Sequence, residues 1–218
     1  RRTGRTFGRG PRPLLVSVRS GAPVSMPGMM DTVLNVGMTP DVRRALEEES
    51  GDPRFAADTW LRFHRMYAET VLGVPREEVE HAAVHDGTPG GMVAAGERVR
   101  ELARAYGGVP ADPFRQLLEA IQAVCRSWES HRARVFRARE GIDDSLGTAA
   151  TVQAMVFGNL DDRSGTGVAF SRDPVTGERG AFGDYLPRAQ GEDVVAGTHH
   201  VQGLDLLRQQ LPEAYEEL

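Results

Sequence analysis

The apolar residues of this 218-residue chain change their spacing twice, and this change limits the folds that are open to the chain. Near both ends, short β-rich runs alternate with turns, whereas the middle of the chain carries apolar stripes at helical spacing. Segments of these two kinds bury their apolar faces in different ways and are segregated along the chain. We therefore predict an α+β fold in which a mainly helical insertion separates two β-containing parts.

The middle of the chain predicts four helices. The first covers Arg54 to Gly73, with proline before it and glycine at its end as start and stop signals. A weaker one covers about 94–106, the clearest covers 114–128, and an arginine-rich one covers about 131–140. Cys125 falls in the apolar spacing of the third helix, so we expect a buried structural thiol; as the single cysteine, it permits no internal disulfide.

The β-rich runs flank this helical part. Leu14 to Val18 predicts a strand that is followed by a polar turn at Arg19-Ser20-Gly21. After residue 147, further strands are predicted at 149–157, 167–172 and about 181–186, and a helix at 204–218. We divide the chain as one partial domain, 1–218, with parts at about 1–45, about 46–146 and about 147–218.

The charge and composition exclude several classes of function. The formal net charge is −5, so no broad positive field is present to hold a nucleic acid or an anionic membrane. All 26 basic residues are arginine, and without lysine the chain cannot supply a Walker or Schiff-base lysine. The sequence shows no apolar run long enough to span a membrane and no signal peptide, so we expect a cytoplasmic protein.

Four short segments could contact a ligand. A strand that ends in Arg19-Ser20-Gly21 places a guanidinium group and backbone N–H groups at one edge, which suits an anion, although spacing alone favours an ordinary strand end. The glycines of Ser164–Phe170 let backbone amides approach a polyphosphate, or simply form a hairpin. Gln153–Val156 could line a purine, and Gln190–Asp193 could hold Mg²⁺ through its carboxylates, but half-buried strands and acidic turns are commoner.

Histidine patterns point to no catalytic or metal site. His199 and His200 are adjacent and would diverge on a strand, and neither a zinc-binding spacing nor a serine nucleophile elbow occurs. Residues alone therefore predict an α+β domain with several loops that could contact phosphate.

Taken together and in order, these segments are far more specific than any one of them. They resemble the ATP-binding domain of the pyruvate, phosphate dikinase family over almost the whole chain. The segments that carry the resemblance are Leu14–Ala22, Ser25–Asn35, Pro53–Ala56, Ser127–Trp128, Gly147–Ala149, Val152–Asn159, Ser164–Phe170, Asp173–Glu178 and Ala189–Gly197.

The resemblance implies an ATP-grasp-like fold that is present here as an incomplete piece. It also implies a parent phosphotransferase that makes phosphoenolpyruvate, AMP and pyrophosphate from pyruvate, ATP and phosphate through a phosphohistidine on another domain. Pyruvate and phosphoenolpyruvate would bind to absent domains, and the full-length enzyme would be a homodimer. This chain alone would then be inactive.

Residue roles follow from the same resemblance. Arg19 would contact the nucleotide phosphates as the catalytic residue, and the loop around Gly28 and Met29 would close over them. The remaining nucleotide-binding residues would be Gln153, Met155 and Val156 at the adenine, Thr166 and Gly167 as donors, and Glu192 near the ribose or metal.

The chain also departs from the family pattern. The family's ATP-site lysine would lie upstream of Arg1, and the ligands of Mg²⁺ would lie beyond Leu218. His199 stands where the family usually has arginine, and Asp184 where it usually has glutamate. Two alternatives remain open: the ATP module of a related dikinase, of the phosphoenolpyruvate synthase or rifampin phosphotransferase type, and a non-catalytic nucleotide-binding module.

Overall fold

The structure is a computed structural model that describes residues 3–195 and 201–218. The chain divides into two compact units, of which the first ends at Met155 and the second begins at Val156. Strands and helices are present in both units, which confirms the α+β class. Within the described residues, no helix is both long enough and apolar enough to cross a bilayer.

The first unit is built on a small antiparallel sheet. After a short parallel pair, β1 (Thr6–Phe7) and β2 (Pro13–Leu14), the chain forms β3 (Val16–Gly21), β4 (Thr32–Val36) and, much later, β5 (Ala149–Ala154). β3 lies in the middle and pairs with β4 on one side and with β5 on the other.

The predicted turn at Arg19-Ser20-Gly21 is wrong. β3 continues to Gly21, because these three residues pair in register with Thr151, Ala150 and Ala149 of β5. Polar residues at the end of a strand can therefore belong to the strand when a distant segment completes its ladder.

Helices fill the stretch between β4 and β5. They are α1 (Pro40–Ser50), α2 (Pro53–Met66), α3 (Arg76–Ala82), α4 (Pro89–Leu102), α5 (Pro113–Arg126) and α6 (His131–Glu140). A π-helical turn, Tyr67–Val71, continues α2. The four predicted helices are confirmed, although α4 begins five residues earlier than predicted, and α1 and α3 were not predicted.

Four of these helices begin with the same local signal, a Thr or Asp followed by proline. The side chains of Thr39, Asp52, Thr88 and Asp112 each accept a hydrogen bond from a backbone N–H in the first turn. The cap satisfies an N–H that the helix leaves free, and proline at the next position needs no partner.

The core of the first unit lies where α2 and α5 pack against the sheet. Val18, Val33 and Val36 are fully buried there. Gln116 of α5 is also buried, because its amide accepts a hydrogen bond from Gly37 N–H and donates to the carbonyls of Met38 and Pro110.

The prediction that Cys125 is buried is wrong, since its side chain is exposed. The apolar stripe of α5 is wider than the face that the sheet covers: Phe114 and Leu118 are 64% and 56% exposed. The buried face of α5 instead uses Gln116, Ala120, Ala123 and Val124. Helical periodicity locates the stripe but does not say how much of it is covered.

The second unit is a hairpin with short helices. β6 (Gly165–Arg172) pairs antiparallel with β7 (Arg179–Pro187), and β7 pairs with the short β8 (Gln202–Gly203). The helices are α7 (Gly191–Val195), α8 (Leu204–Gln210) and α9 (Pro212–Glu216). The single helix predicted at 204–218 is therefore divided, because Leu211 is not helical and Pro212 starts a new helix.

Packing between α2 and α4 depends on one glycine. A Cβ atom built on Gly96 would lie 2.4 Å from the indole ring of Trp60, whereas a Cβ on Gly90 of the same helix meets nothing within 4 Å. Trp60 is only 1% exposed, so its ring has no open space to move into.

We predict that Gly96→Ala lowers the free energy of unfolding by about 1–3 kcal/mol, because it overpacks this contact. The matched change Gly90→Ala should leave stability unchanged or raise it by up to about 1 kcal/mol, since alanine favours helix. Urea unfolding of both variants is the measurement. Equal effects of the two changes would contradict the account of the α2–α4 contact.

His64 is a titratable group inside the same core. It is 1% exposed, and its Nδ1 lies 2.9 Å from the carbonyl oxygen of Trp60, so the neutral ring donates its Nδ1 proton there. Burial lowers the pKa of His64 from 6.5 to about 4; the hydrogen bond to Trp60 opposes this shift and the charge of Arg100 adds to it.

As the pH falls, the unfolded state binds the second imidazole proton before the folded state does. The contribution of the neutral histidine to stability is therefore complete above pH 6.5 and is lost as the pH falls towards 4. We predict a loss of about 2 kcal/mol between pH 7 and pH 5 from this group. The measurement is urea unfolding of the wild type and of His64→Leu at both pH values. If the free energy of unfolding depended on pH in the same way in both proteins, the lowered pKa of His64 would be contradicted.

Candidate functional site

A cavity of about 530 Å³ lies in the first unit where β3 ends. Its walls come from the end of β3, from the beginning of β4 and from the segment between them, Ala22–Asp31, which we call the β3–β4 loop. The lining residues are Arg19–Gly28, Met30 and Thr32. One continuous stretch of sequence therefore forms almost the whole cavity.

The chemistry of this lining suits an anion. Among the described residues that line the cavity, Arg19 carries the only charged side chain, and Arg19 is exposed. Ser20, Ser25 and Thr32 add hydroxyl groups, and Thr32 lies directly opposite Arg19 in the β3–β4 register. An exposed guanidinium beside hydroxyl and backbone donors can bind a phosphate group in several directions at once.

The β3–β4 loop is anchored on its other side to the helical part. Met26 is 7% exposed and belongs to an apolar cluster with Trp128 and Ala133, against which Met29 and Met30 also pack. The backbone N–H of Asp31 donates to the Ser127 hydroxyl at 3.0 Å. Methionine fits such irregular contacts well, which explains the unusual number of methionines in this loop.

A buried arginine supports the indole of this cluster. Arg137 is 1% exposed, and its guanidinium carbon lies 4.1 Å from the centroid of the Trp128 ring. Its Nε donates to the carboxylate of Asp144, and Nη1 donates to the Trp128 carbonyl. This role could not be predicted from the sequence, because Arg137 is one of several arginines in α6 and only the fold distinguishes it from the exposed ones.

The structure separates the predicted site residues of the first unit. Arg19 and Gly28 both line the cavity, and Gly28 has a φ of 71°, a left-handed conformation that favours glycine. Met29 is not a lining residue; it packs towards the helices. Gln153 is an exposed residue of β5 opposite Ser17, and the N–H of Met155 extends this pairing by donating to the Leu15 carbonyl.

The other predicted residues belong to the second unit. Val156, its first residue, is 91% exposed. Thr166 and Gly167 lie on β6, where a Cβ on Gly167 would approach the Asp184 carbonyl oxygen to 2.4 Å. A Cβ on Gly191 would lie 3.7 Å from the Thr166 hydroxyl oxygen, so the fold brings Thr166 close to the start of α7, which contains Glu192.

A second cavity, of about 300 Å³, lies beside Thr166 and Gly167 within the second unit. Tyr185 of β7 forms part of its wall, and burial raises the pKa of this phenol. Leu204 and Leu207 of α8 pack on Tyr185. This cavity is more apolar than the one at Arg19, so the two units offer different surfaces to a ligand.

The segment Gln190–Asp193 is held by buried polar contacts. The Asp193 carboxylate accepts a hydrogen bond from the Gln190 N–H at 2.9 Å, and the Gln190 side chain donates to Asn159 at 3.3 Å. Asp193 is 6% exposed. Its carboxylate therefore holds the start of α7, a structural role that the hypothesis of a Mg²⁺ site in this segment did not include.

The described residues contain no group of three or more His, Cys, Asp or Glu side chains that could hold a metal ion. His199 and His200 lie outside the described residues. The predicted difference from the family at His199 therefore lies outside them as well. Asp184 is an exposed residue of β7, opposite Val168.

Comparison with known proteins identifies the class first. The chain matches, over residues 1–213, the family described as "Pyruvate phosphate dikinase, AMP/ATP-binding domain", so the class is that of AMP/ATP-binding domains. It is 45% identical to pyruvate, phosphate dikinase 1, chloroplastic, of Zea mays and 43% identical to pyruvate, phosphate dikinase of Clostridium symbiosum. The matches cover 99% and 98% of this chain, but 24% and 26% of those proteins.

The chain belongs to the pyruvate phosphate dikinase AMP/ATP-binding domain family. Pyruvate, phosphate dikinase of Rickettsia conorii is 42% identical over 99% of this chain, and the match covers 26% of that protein. The resemblance found in the sequence motifs is confirmed. The chain spans about a quarter of the length of the curated relatives it matches.

We predict that Gly167→Ala distorts the β6–β7 hairpin, because its new methyl group would press on the Asp184 backbone. The free energy of unfolding of the second unit should fall by about 1–3 kcal/mol. Gly203→Ala in the same sheet is the control: its Cβ meets nothing within 4 Å, and its φ of −63° suits alanine. Thermal unfolding in which both variants match the wild type would contradict the close approach at Gly167.

Proposed function

We propose that this chain is the ATP-binding part of a pyruvate, phosphate dikinase. The parent enzyme would convert ATP, pyruvate and phosphate into AMP, phosphoenolpyruvate and pyrophosphate through a phosphohistidine on another domain. The observation that carries the proposal is the cavity around Arg19, where the single charged residue among the described lining residues is a cation. The family match over residues 1–213 supports it.

Arg19 is proposed as the residue that contacts the phosphates. Its planar guanidinium can donate two parallel hydrogen bonds to one phosphoryl group. Phosphoryl transfer needs negative charge on the transferred group to be balanced while its position is fixed. Because the chain has no lysine, arginine and backbone N–H groups must provide this balance within these 218 residues.

The β3–β4 loop is proposed to close over the phosphates at Gly28 and Met29. Gly28 is exposed, and nothing lies within 4 Å of the place that a Cβ would occupy, so the loop has open space beside it at this residue. Anchoring of Met29 on the helical side suits a loop that presents its neighbouring backbone to a ligand.

The remaining roles rest on the family resemblance. Gln153, Met155 and Val156 are proposed to hold the adenine, with Thr166 and Gly167 as hydroxyl and backbone donors. Glu192 would lie near the ribose or metal, and the closeness of Thr166 to the start of α7 supports grouping Glu192 with Thr166.

We also propose an ATP-grasp-like fold and a requirement for Mg²⁺, which would screen the charge of the ATP phosphates when bound. The family resemblance leads us to place the ligands of this Mg²⁺ outside this chain. The parent would act as a cytoplasmic homodimer, and these 218 residues would form a fragment without activity of their own.

We predict that Arg19→Ala weakens ATP binding by the full-length parent protein about 10- to 100-fold, which corresponds to about 1.4–2.7 kcal/mol. Loss of a charge-assisted, two-bond contact is the physical reason. Isothermal titration calorimetry with ATP and Mg²⁺ measures the affinity, and ATP-dependent autophosphorylation of the protein measures the activity.

Arg104→Ala provides the matched control. Arg104 is an exposed arginine paired with Glu101 at 3.1 Å, does not line the cavity, and should not affect ATP binding. Unchanged affinity and autophosphorylation in Arg19→Ala would remove the proposed role of the cavity. An equal loss in both variants would point to a general effect of charge.

A further inference from the structure

The β3–β4 loop needs an external constraint to keep the cavity in one shape. It spans ten residues between two neighbouring strands, and the backbone hydrogen bond from Met29 N–H to the Met26 carbonyl, 3.1 Å long, closes only a local turn. A loop of this length has many accessible conformations, so contacts with other elements must select one of them.

Arg132 of α6 provides such a contact at two points. Its Nε donates to the carbonyl oxygen of Met29 at 3.0 Å, and its Nη2 donates to the carboxylate of Asp31. One rigid guanidinium therefore fixes both a backbone group and a side chain of the loop, two residues apart. The Asp31 N–H is bound in turn by Ser127, whose own hydroxyl donates to the Val124 carbonyl at 2.7 Å.

We propose that Arg132 is a positioning residue that holds the β3–β4 loop in the arrangement that forms the Arg19 cavity. Arg132 does not line the cavity, so it acts through Met29 and Asp31. It also balances the charge of Asp31, which would otherwise stand unpaired one residue before Thr32 of the lining and repel a phosphate. The consequence for nucleotide binding rests on the proposed function; the effect on the loop does not.

The ion pair between Arg132 and Asp31 is expected to affect the loop and not the global stability of the unit. The side chains of Arg132 and Asp31 are 52% and 29% exposed, and ion pairs with this exposure contribute little to global stability. The apolar cluster of Met26 and Trp128 remains when the ion pair is removed. Removal of Arg132 should therefore loosen the loop locally without unfolding the unit.

The test compares Arg132→Ala, Arg132→Lys and the control Arg134→Ala in the full-length parent protein. Arg134 lies on the same helix, is exposed and pairs with Glu129 at 2.8 Å. Amide hydrogen exchange without nucleotide is measured first. We expect peptides that cover residues 28–32 to exchange about tenfold faster in Arg132→Ala, since both contacts are lost.

Arg132→Lys should give an intermediate rate, because a lysine ammonium cannot reproduce the fork, and Arg134→Ala should leave the rate unchanged. The midpoint of urea unfolding should stay unchanged in all three variants. Exchange in Arg132→Ala equal to that of the wild type, or a global loss of stability, would overturn the positioning role.

ATP affinity is then measured by calorimetry in the same variants. We expect a loss of about three- to tenfold in Arg132→Ala, smaller than the loss in Arg19→Ala. Faster loop exchange with unchanged ATP affinity in both Arg132→Ala and Arg19→Ala would refute the proposed function while the loop contact stands. Faster loop exchange in Arg132→Ala, together with a loss of ATP affinity in Arg19→Ala alone, would overturn the link between Arg132 and the ligand.

Discussion

The pairing of β3 along both of its edges is the constraint on which the first unit depends. Val16–Val18 of this strand are buried under the helices, while Arg19 and Gly21, on the same ladder, are exposed at the cavity. A strand fixed by two neighbours cannot slip in register without moving its apolar residues out of the core. The side chain best suited to hold an anion therefore projects from the most constrained strand of the unit.

The helical part packs against the sheet and also holds the β3–β4 loop. Its last turns, Ser127 to Arg137, provide the indole, the hydroxyl and the guanidinium groups that hold the β3–β4 loop from behind. The loop thus presents one side to the cavity and the other to α6. This arrangement explains why a helical insertion of about 100 residues can matter for a cavity that it hardly lines.

Sequence reasoning located much of this fold, and the reasons are local. Asp112-Pro113 and the glycine after residue 72 act within one turn of their helices, so α5 and the end of the α2 segment could be predicted. The same Thr-Pro signal at Thr39 and Thr88 would have placed α1 and the start of α4. β3 was predicted too short because its last three residues pair with β5, more than a hundred residues away.

The candidate site was harder to predict for the same reason. Arg19 stood out because of its place at the end of a strand, but no local pattern distinguishes Arg132 and Arg137 from the other arginines of α6. Cys125 was predicted to be buried because periodicity identifies an apolar stripe but does not show which part of the stripe other elements pack against. Residues that contact a loop in the fold but lie far from it in the sequence cannot be identified from local sequence patterns.

The central claim is that the cavity at Arg19 receives the phosphates of ATP. The most direct test is a crystal structure of the full-length parent protein with a non-hydrolysable ATP analogue. The account predicts phosphate oxygens within about 3 Å of the Arg19 guanidinium, with the β3–β4 loop beside them. An analogue bound elsewhere, with Arg19 in contact with solvent alone, would contradict it.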